Sequence, residues 1–175
     1  LRLTNYAANH TLKELLVATL DEACALTGSS IGFYHFLDAD QKTLSLQAWS
    51  TRTTQEFCKA QGEGRHYDIG EAGVWVDCIR ERRPLIHNDY AALPHKHGLP
   101  PGHAQVEREM VVPIFRNELI VAILGVGNKA TPYEDIDLES AEFSRRFYVK
   151  SPDRRWAFDI LHARTMAFLL SRPRF

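Results

Sequence analysis

The stretch HNDYAALPHKHGLPPGH, from His87 to His103, concentrates side chains that could do chemistry. Its four histidines are His87, His95, His97 and His103. Imidazole is the commonest metal-binding side chain, so a metal site is one hypothesis. Structural zinc sites, however, use Cys or His pairs at tight, repeated spacing, whereas this stretch has no Cys and Lys96 places a cation between two histidines. The pattern favours a loop with scattered histidines, and we expect no metal.

The same stretch opens with residues that suit the edge of a small-molecule pocket. The run His87–Tyr90 offers hydrogen-bond donors, acceptors and an aromatic ring at the end of a short predicted strand. The candidate ligand-binding residues are Trp49, Trp75, His87, Asn88, Asp89, Tyr90, His103 and Arg108. For the two tryptophans, plain core packing is an equally good interpretation, because aromatic side chains also dominate cores.

Residues 91–103 form a long connection, and long loops in compact domains are often lids or binding loops. The prolines stiffen this loop, and its histidines could make it sensitive to pH. A predicted helix start around Gly73 would favour an anionic group nearby. We therefore interpret the histidine-rich stretch as a pocket edge followed by a lid.

Catalysis by a cysteine thiol is the more specific alternative to ligand binding. A thiol mechanism needs an exposed, activated thiolate and usually a resolving Cys. Cys24 and Cys78 lie on apolar faces of predicted helices, where a buried free Cys is the ordinary case, and Cys58 lies beside Lys59. Because no nucleophile and base are paired by the pattern, we expect no catalytic residues and no enzyme activity in this chain.

Composition narrows the class of protein. The chain has 175 residues, 45% hydrophobic and 25% charged, with a net charge of −1, which is typical of one soluble domain. That balance offers no basic surface for nucleic acid or anionic lipid. The longest apolar run, Leu119–Gly127, is too short to cross a bilayer, and three widely spaced cysteines fit a reducing cytoplasm. The start at Leu1 suggests a piece of a longer protein.

The hydrophobic periodicity predicts an α+β fold. The expected elements are a helix at Thr11–Leu26, a hairpin at 30–38 and 42–50, a short helix at Thr53–Gln61, a helix at Gly70–Arg83, a strand at 84–88, two long strands within Glu107–Lys129, and helix from Asp135 to Arg172 with a break near Ser151. Pro113 implies an edge position or a bulge. We expect one antiparallel sheet, with terminal helices on one face and short helices and the long loop on the other.

The order of these elements, with the blocks GSSIGFYHFL, VWVDCIRERRPLIHNDY and ELIVAILGVGNK, resembles a GAF domain across about Thr11 to Glu139. The resemblance is closest to the GAF modules of bacterial sensor histidine kinases and diguanylate cyclases. It implies an antiparallel sheet of about six strands, like that of PAS domains, with a small-molecule pocket opposite the terminal helices. Ligands across the family include cyclic nucleotides, bilins, haem and small metabolites.

The resemblance also attaches roles to particular positions. Asn128-Lys129, Tyr133 and Asp137 are similar to the motif of cyclic-nucleotide GAF domains, although Leu138 separates Asp137 from Glu139. A cyclic nucleotide is thus one weakly supported candidate, and the ligand stays an unknown small molecule. An ion pair between Lys129 and Asp137 would pin the C-terminal helix to the sheet. Covalent bilin is not expected, because the pocket loop has no Cys.

We therefore expect a cytoplasmic GAF sensory domain spanning residues 1–175, with a core at about 11–139 and a C-terminal helical extension at 140–175. It would bind a small ligand and transmit its presence through terminal helices that form a homodimer. Output activity, such as a histidine kinase of a two-component system or a diguanylate cyclase, would lie elsewhere in the full-length protein. No contact with nucleic acid or membrane is expected.

Two alternatives make different predictions. A GAF-fold enzyme similar to methionine sulfoxide reductase, acting through Cys58 or a loop histidine, requires a reactive thiol of low pKa. A ligand-free dimerisation module requires a pocket filled by its own aromatic side chains and a large apolar helix interface.

Overall fold

The structure is a computed structural model that describes residues 10–57, 66–94, 96, 102, 104–116 and 118–139. Helix α1 (Leu12–Thr27) begins with a capping box in which Thr11 Oγ1 accepts from Glu14 N at 3.3 Å and Glu14 Oε2 accepts from Thr11 N at 2.7 Å. It ends at Gly28, whose left-handed φ of 66° suits glycine. The helix predicted from periodicity is confirmed to within one residue at each end.

Six strands form one sheet in the order β3-β2-β1-β6-β5-β4, and every neighbouring pair is antiparallel. The strands are β1 (Ile31–Leu37), β2 (Thr43–Trp49), β3 (His66–Asp68), β4 (Leu85–His87), β5 (Glu109–Arg116) and β6 (Leu119–Gly127). Both predicted hairpins are present, and the predicted fold class is confirmed.

The two faces of the sheet carry separate cores. On one face, Leu16 and Leu20 of α1 pack with Tyr34, Leu124 and other buried residues of the sheet. The opposite core contains Leu37, Val111 and Ile123 of the sheet together with the segment that precedes β4. Helix α1 and the short helical turns before β4 therefore lie on opposite faces, as the alternation of side chains requires.

The single helix predicted for Gly70–Arg83 is wrong. The structure has two 3₁₀ turns, Ile69–Glu71 and Val74–Val76, followed by one α-helical turn, α2 (Asp77–Arg80). Between the turns, Ala72 and Gly73 are extended, with ψ of 154° and −163°. Glycine has low helix propensity, so an extended break at this point costs little. Val74, Cys78 and Ile79 are buried, and Trp75 is half-buried.

Pro113 lies in β5 beyond the stretch that β4 covers, because β4 pairs only with Glu109, Met110 and Val111. Among the described strands, only β6 pairs with β5 at Pro113, and the register also shifts between Ile114 and Phe115. Both features accommodate a residue that cannot donate a backbone hydrogen bond.

Two further helical segments are described. Residues 51–57 form a helical segment after β2 that overlaps the helix predicted for Thr53–Gln61, and residues 135–139 are helical, as predicted for the start of the C-terminal segment. Among the helices that the structure describes, none combines the length and apolar character needed to cross a membrane. The predicted extension at 140–175 lies outside the described residues.

Candidate functional site

The sheet face away from α1 carries the aromatic residues of the candidate site. Strand β1 alternates, so that Tyr34 and Phe36 belong to the α1 core while Phe33 packs with the opposite core. His35 shares the face of Phe33, and their rings lie 5.4 Å apart. The sequence alone did not show which face of β1 α1 covers, and the structure shows that it covers the face of Tyr34 and Phe36.

Trp75 covers this part of the sheet. Its ring stacks on His35 with centroids 4.4 Å apart and planes inclined by 29°, and meets Phe33 edge-on at 5.7 Å. His35 is 6% exposed, and burial lowers the pKa of its imidazole to about 3. The ring is therefore neutral at physiological pH and contributes a flat polar surface without a charge.

A carboxylate and an imidazole meet where β4 and β5 pair. His87 lies directly opposite Glu109 in the ladder, and a hydrogen bond of 2.9 Å joins His87 Nδ1 to Glu109 Oε1. Glu109 is 3% exposed. Burial raises the pKa of Glu109, and the hydrogen bond and charge of His87 oppose that rise. The pair therefore holds a titratable carboxyl in an apolar environment.

Tyr90 links the pair to the aromatic residues. Burial, with a smaller contribution from the charge of Glu109, raises the pKa of Tyr90 to about 12. A Cβ built on Gly73 would lie 3.6 Å from Tyr90 Oη and 3.5 Å from Trp75 Cδ1, so Tyr90 and Trp75 approach each other over this glycine. Trp75, Tyr90, His87 and Glu109 thus belong to one region, which we call the aromatic–acid site together with Phe33 and His35.

Glu109 and His35 were not among the predicted site residues. The sequence held one signal for Glu109, because this acidic residue begins the otherwise apolar run EMVVPIF. Its burial, however, depends on the pairing of β4 with β5, which joins segments far apart in the chain. The two-residue period of a strand places His35 on the same face as Phe33, but it does not show which face of the sheet α1 covers.

Several predicted ligand residues have structural partners instead. Asn88 bonds the backbone of Tyr133, and Asp89 caps the turn Tyr90–Ala92 by accepting from Ala92 N at 3.1 Å. Arg108 Nη1 donates to the Lys129 carbonyl at 2.5 Å. Their roles in ligand binding stay predictions.

Trp49 and Phe33 are paired across β2 and β1. Trp49 packs with Ile31 and Ala104 beside the aromatic–acid site. His95, His97 and His103 lie outside the described residues. The short turns before β4 also give no helix long enough to act as the anion site expected near Gly73.

Lys129 and Asp137 are brought together by the turn after β6. Lys129 Nζ lies 2.8 Å and 2.7 Å from the two carboxylate oxygens of Asp137. Glu134 N also donates to Asp137 Oδ2 at 2.9 Å, so the carboxylate caps the helical residues 135–139 while it binds the lysine.

The described cysteines are poorly suited to catalysis. Burial raises the pKa of Cys24 to about 11, against the opposing hydrogen bond of Ser50. Burial also raises the pKa of Cys78, and the charges of Glu109 and Asp77 act in the same direction. Both thiols are therefore protonated at neutral pH. Cys58 lies outside the described residues.

Metal ligands do not cluster in the described part of the chain. Within residues 10–57, 66–94, 104–116 and 118–139, no three His, Cys, Asp or Glu side chains lie close enough together to hold an ion. His87 and Glu109 have Asp77 as an acidic neighbour, but Asp77 is engaged by Arg80 at 2.5 Å.

A cleft of about 530 Å³ lies away from the aromatic–acid site, between the last turns of α1 and residues 50–56. Its polar groups bind one another: Asp21 accepts from Thr51 N and Oγ1, both at 2.7 Å, and Arg52 pairs with Glu56 at 2.8 Å. The aromatic–acid site, with its buried carboxyl, is the stronger candidate.

The sequence and the fold match known proteins. A family model described as GAF domain matches residues 9–143. The chain is 37% identical over 132 residues to a methyl sulfide methyltransferase-associated sensor of Methanosarcina acetivorans; the match covers 75% of this chain and 13% of that protein. This chain therefore spans only a small part of that relative's length.

Solved structures share the fold at low identity. The GAF domain of a phosphoenolpyruvate-protein phosphotransferase from Coxiella burnetii superposes with a TM-score of 0.70 at 15% identity, covering 94% of this chain and 92% of that one. A free methionine-R-sulfoxide reductase from Neisseria meningitidis, solved with its substrate, gives 0.58 at 16% identity and 83% coverage of both chains.

Proposed function

The chain belongs to the GAF domain family, and we propose that it is the sensory module of a larger signalling protein, binding a small molecule at the aromatic–acid site. A relative that is 37% identical to this chain over 132 residues is named a sensor, which supports this role. The output domain of the full-length protein and a homodimer formed through terminal helices are parts of the same proposal.

The observation that carries the proposal is the His87–Glu109 pair, with its buried carboxyl, on the sheet face where the rings of Phe33, His35 and Trp75 contact one another. Removing a carboxylate from water is costly, and a buried ion pair gives little net stability in return. Perturbed carboxyls of this kind concentrate at functional sites. Pockets for small molecules combine apolar and aromatic walls with a few fixed polar groups, which is the composition found here.

The same residues describe the ligand. Phe33 and Trp75, which are half-buried, offer flat, uncharged surfaces for an apolar or planar moiety, and His35 supports the ring of Trp75 from below. Glu109 offers a carboxyl that would accept a hydrogen bond from a donor or a cationic group. We therefore propose a small ligand with an apolar body and at least one polar donor.

The role is non-enzymatic in this proposal. The reductase alternative shares the fold, and Cys24 and Cys78 have raised pKa values and supply no activated nucleophile for it. Cys58 and the loop histidines, through which that alternative would act, lie outside the described residues. The ligand can then act only by binding two conformations of the domain with different affinity.

Native mass spectrometry after incubation with a small-molecule cell extract tests the proposal. We expect a mass excess that is lost on denaturation, and that is reduced in Glu109→Leu and in Trp75→Ala. Glu56→Gln, which changes an exposed carboxylate far from the site, is the matched control and should retain the excess. An excess that survives unchanged in both site variants would contradict the proposed site. No excess with any extract would favour the ligand-free dimerisation module.

A further inference from the structure

Tyr133 lies at the point where the two terminal helices meet. It is 3% exposed, and its hydroxyl hydrogen-bonds Ser29 Oγ at 2.7 Å. Ser29 in turn lies 2.6 Å from the hydroxyl of Thr27, the last residue of α1. One side chain therefore connects the end of α1 to the segment that leads into residues 135–139.

The ion pair Lys129–Asp137 stabilises the other side of this junction, because it joins a residue before Tyr133 to a residue after it. The capping bond from Glu134 N to Asp137 fixes where residues 135–139 begin their helix. A displacement of Tyr133 must therefore change the geometry of both terminal helices or break these bonds.

Asn88 binds the backbone of Tyr133 on both sides of the residue. Its Nδ2 donates to the Tyr133 carbonyl at 3.0 Å, and its Oδ1 accepts from Tyr133 N at 2.7 Å. Asn88 follows His87 directly in the chain, and His87 is the imidazole of the pair with Glu109. The amide of Asn supplies both a donor and an acceptor, a combination that a carboxylate cannot provide.

We propose that Asn88 is a positioning residue that couples the state of the His87–Glu109 pair to the junction of the terminal helices at Tyr133. The coupling rests on the proposed function, because it assigns to the ligand site a route by which binding is transmitted. A ligand that engages Glu109 weakens or rotates the bond to His87, the end of β4 shifts, and Asn88 carries that shift to Tyr133.

A second route from β5 to the same junction exists and must be distinguished. Arg108 donates to the Lys129 carbonyl, and Asn128 N donates to the Arg108 carbonyl at 2.9 Å. Because Arg108 precedes Glu109, this route could also respond to the pair. Contiguity alone does not establish coupling, so the test measures the non-additivity of two changes.

Hydrogen exchange at the amide of Tyr133 reports the coupling without any ligand. Asn88→Ala removes the acceptor of this amide and should speed its exchange about tenfold, the effect expected when one hydrogen bond is lost. Glu109→Leu breaks the bond to His87 at similar side-chain volume and should also speed exchange at Tyr133. Glu109→Gln keeps an oxygen for His87 and should stay close to the parent chain.

The double variant decides the outcome. If Asn88 carries the coupling, Glu109→Leu adds no further change at Tyr133 once Asn88 is Ala. If Glu109→Leu does not change exchange at Tyr133, the proposal is wrong. It is also wrong if Glu109→Leu speeds exchange equally with Asn and with Ala at position 88, and that result favours the route through Arg108. Asn88→Leu, whose branched side chain has a similar shape and makes neither bond to Tyr133, serves in the same cycle if Asn88→Ala does not fold.

Asp40→Ala is the control for general loosening. Asp40 accepts from the amides of Lys42 and Thr43 in the β1–β2 turn, at the other end of the sheet, and its replacement should leave Tyr133 unchanged. Since no ligand is present, failure of this coupling and failure of the sensory proposal give separate results.

Discussion

The imidazole of His35 lies stacked on the indole of Trp75, with ring centroids 4.4 Å apart. One ring belongs to the central part of the sheet and the other to the 3₁₀ turn Val74–Val76 that covers it. The stack therefore holds the turn Val74–Val76 on the sheet. It stays uncharged only while the buried imidazole of His35 is unprotonated.

The first prediction concerns acid stability. The pKa of His35 is lowered from 6.5 in the unfolded chain to about 3 in the fold. Between these two pH values His35 is protonated in the unfolded chain but neutral in the folded one, so the free energy of unfolding falls as the pH falls. The slope from this group is up to about 1.4 kcal/mol per pH unit.

Urea unfolding from pH 7 to pH 4, compared between the parent chain and His35→Phe, measures that slope. The variant should lose less stability on acidification, because a phenyl ring keeps the stack without titrating. Glu109 acts in the opposite direction, since its raised pKa favours the fold at low pH, and it is present in both proteins. Parallel stability curves for the two proteins would show that His35 is protonated in the fold.

The second prediction concerns the packing of β6 against β1. A Cβ on Gly125 would overlap the ring of Phe33, whose Cε2 would be 2.6 Å away. Gly125→Ala should therefore destabilise the fold by about 1–3 kcal/mol through overpacking. Gly73→Ala is the matched control, because its Cβ would meet Trp75 at an ordinary 3.5 Å. Equal unfolding midpoints for the two variants would contradict the close approach of Phe33 to β6.

The third prediction concerns thiol reactivity. Cys24 donates to the Ile31 carbonyl at 3.4 Å and has a pKa raised to about 11, and Cys78 is fully buried. Iodoacetamide at neutral pH should leave both residues unlabelled in the folded chain and label both in urea, as read by peptide mass mapping. Rapid labelling of either residue in the folded chain would revive the thiol-enzyme alternative at that position.

The fourth prediction concerns the contact between α1 and the C-terminal segment. Tyr133→Phe removes the hydroxyl that bonds Ser29, while Ser29 keeps Thr27 as its partner. We expect a loss of about 1 kcal/mol in the free energy of unfolding, the usual contribution of one neutral hydrogen bond. Ser29→Ala should cost no less, because it removes both bonds of the serine. No loss in either variant would mean that the hydroxyl relay does not hold the helices together.

The sequence predicted the elements whose signals are local. Thr11, Glu14 and Gly28 mark the ends of α1 through their own side-chain and backbone chemistry. Partial alternation marks β1 and β2, and nearly continuous apolar runs mark β5 and β6. The helix predicted for Gly70–Arg83 failed because apolar spacing outweighed the two glycines at its start. Helical periodicity in a short segment cannot distinguish a helix from consecutive turns that bury the same residues.

The candidate site was predicted less completely, because it depends on long-range pairing. His87 and Tyr90 were identified from residue type, but the partner of His87 is Glu109, which the antiparallel register of β4 and β5 brings opposite it. Asn88 has the residue type of a ligand contact, yet its amide is occupied by Tyr133, which lies 45 positions later. Residue type indicates what a side chain can do, and the register decides what it meets.

The position of the ligand is tested most directly by hydrogen exchange of the chain with and without the extract that yields the mass excess. We expect protection in β1, in the turns from Val74 to Arg80 and in β4, which surround the aromatic–acid site. Residues 51–57, beside the cleft at Asp21, should exchange equally in both samples. Protection confined to residues 51–57 and the last turn of α1 would contradict the account and move the ligand to the opposite side of the sheet.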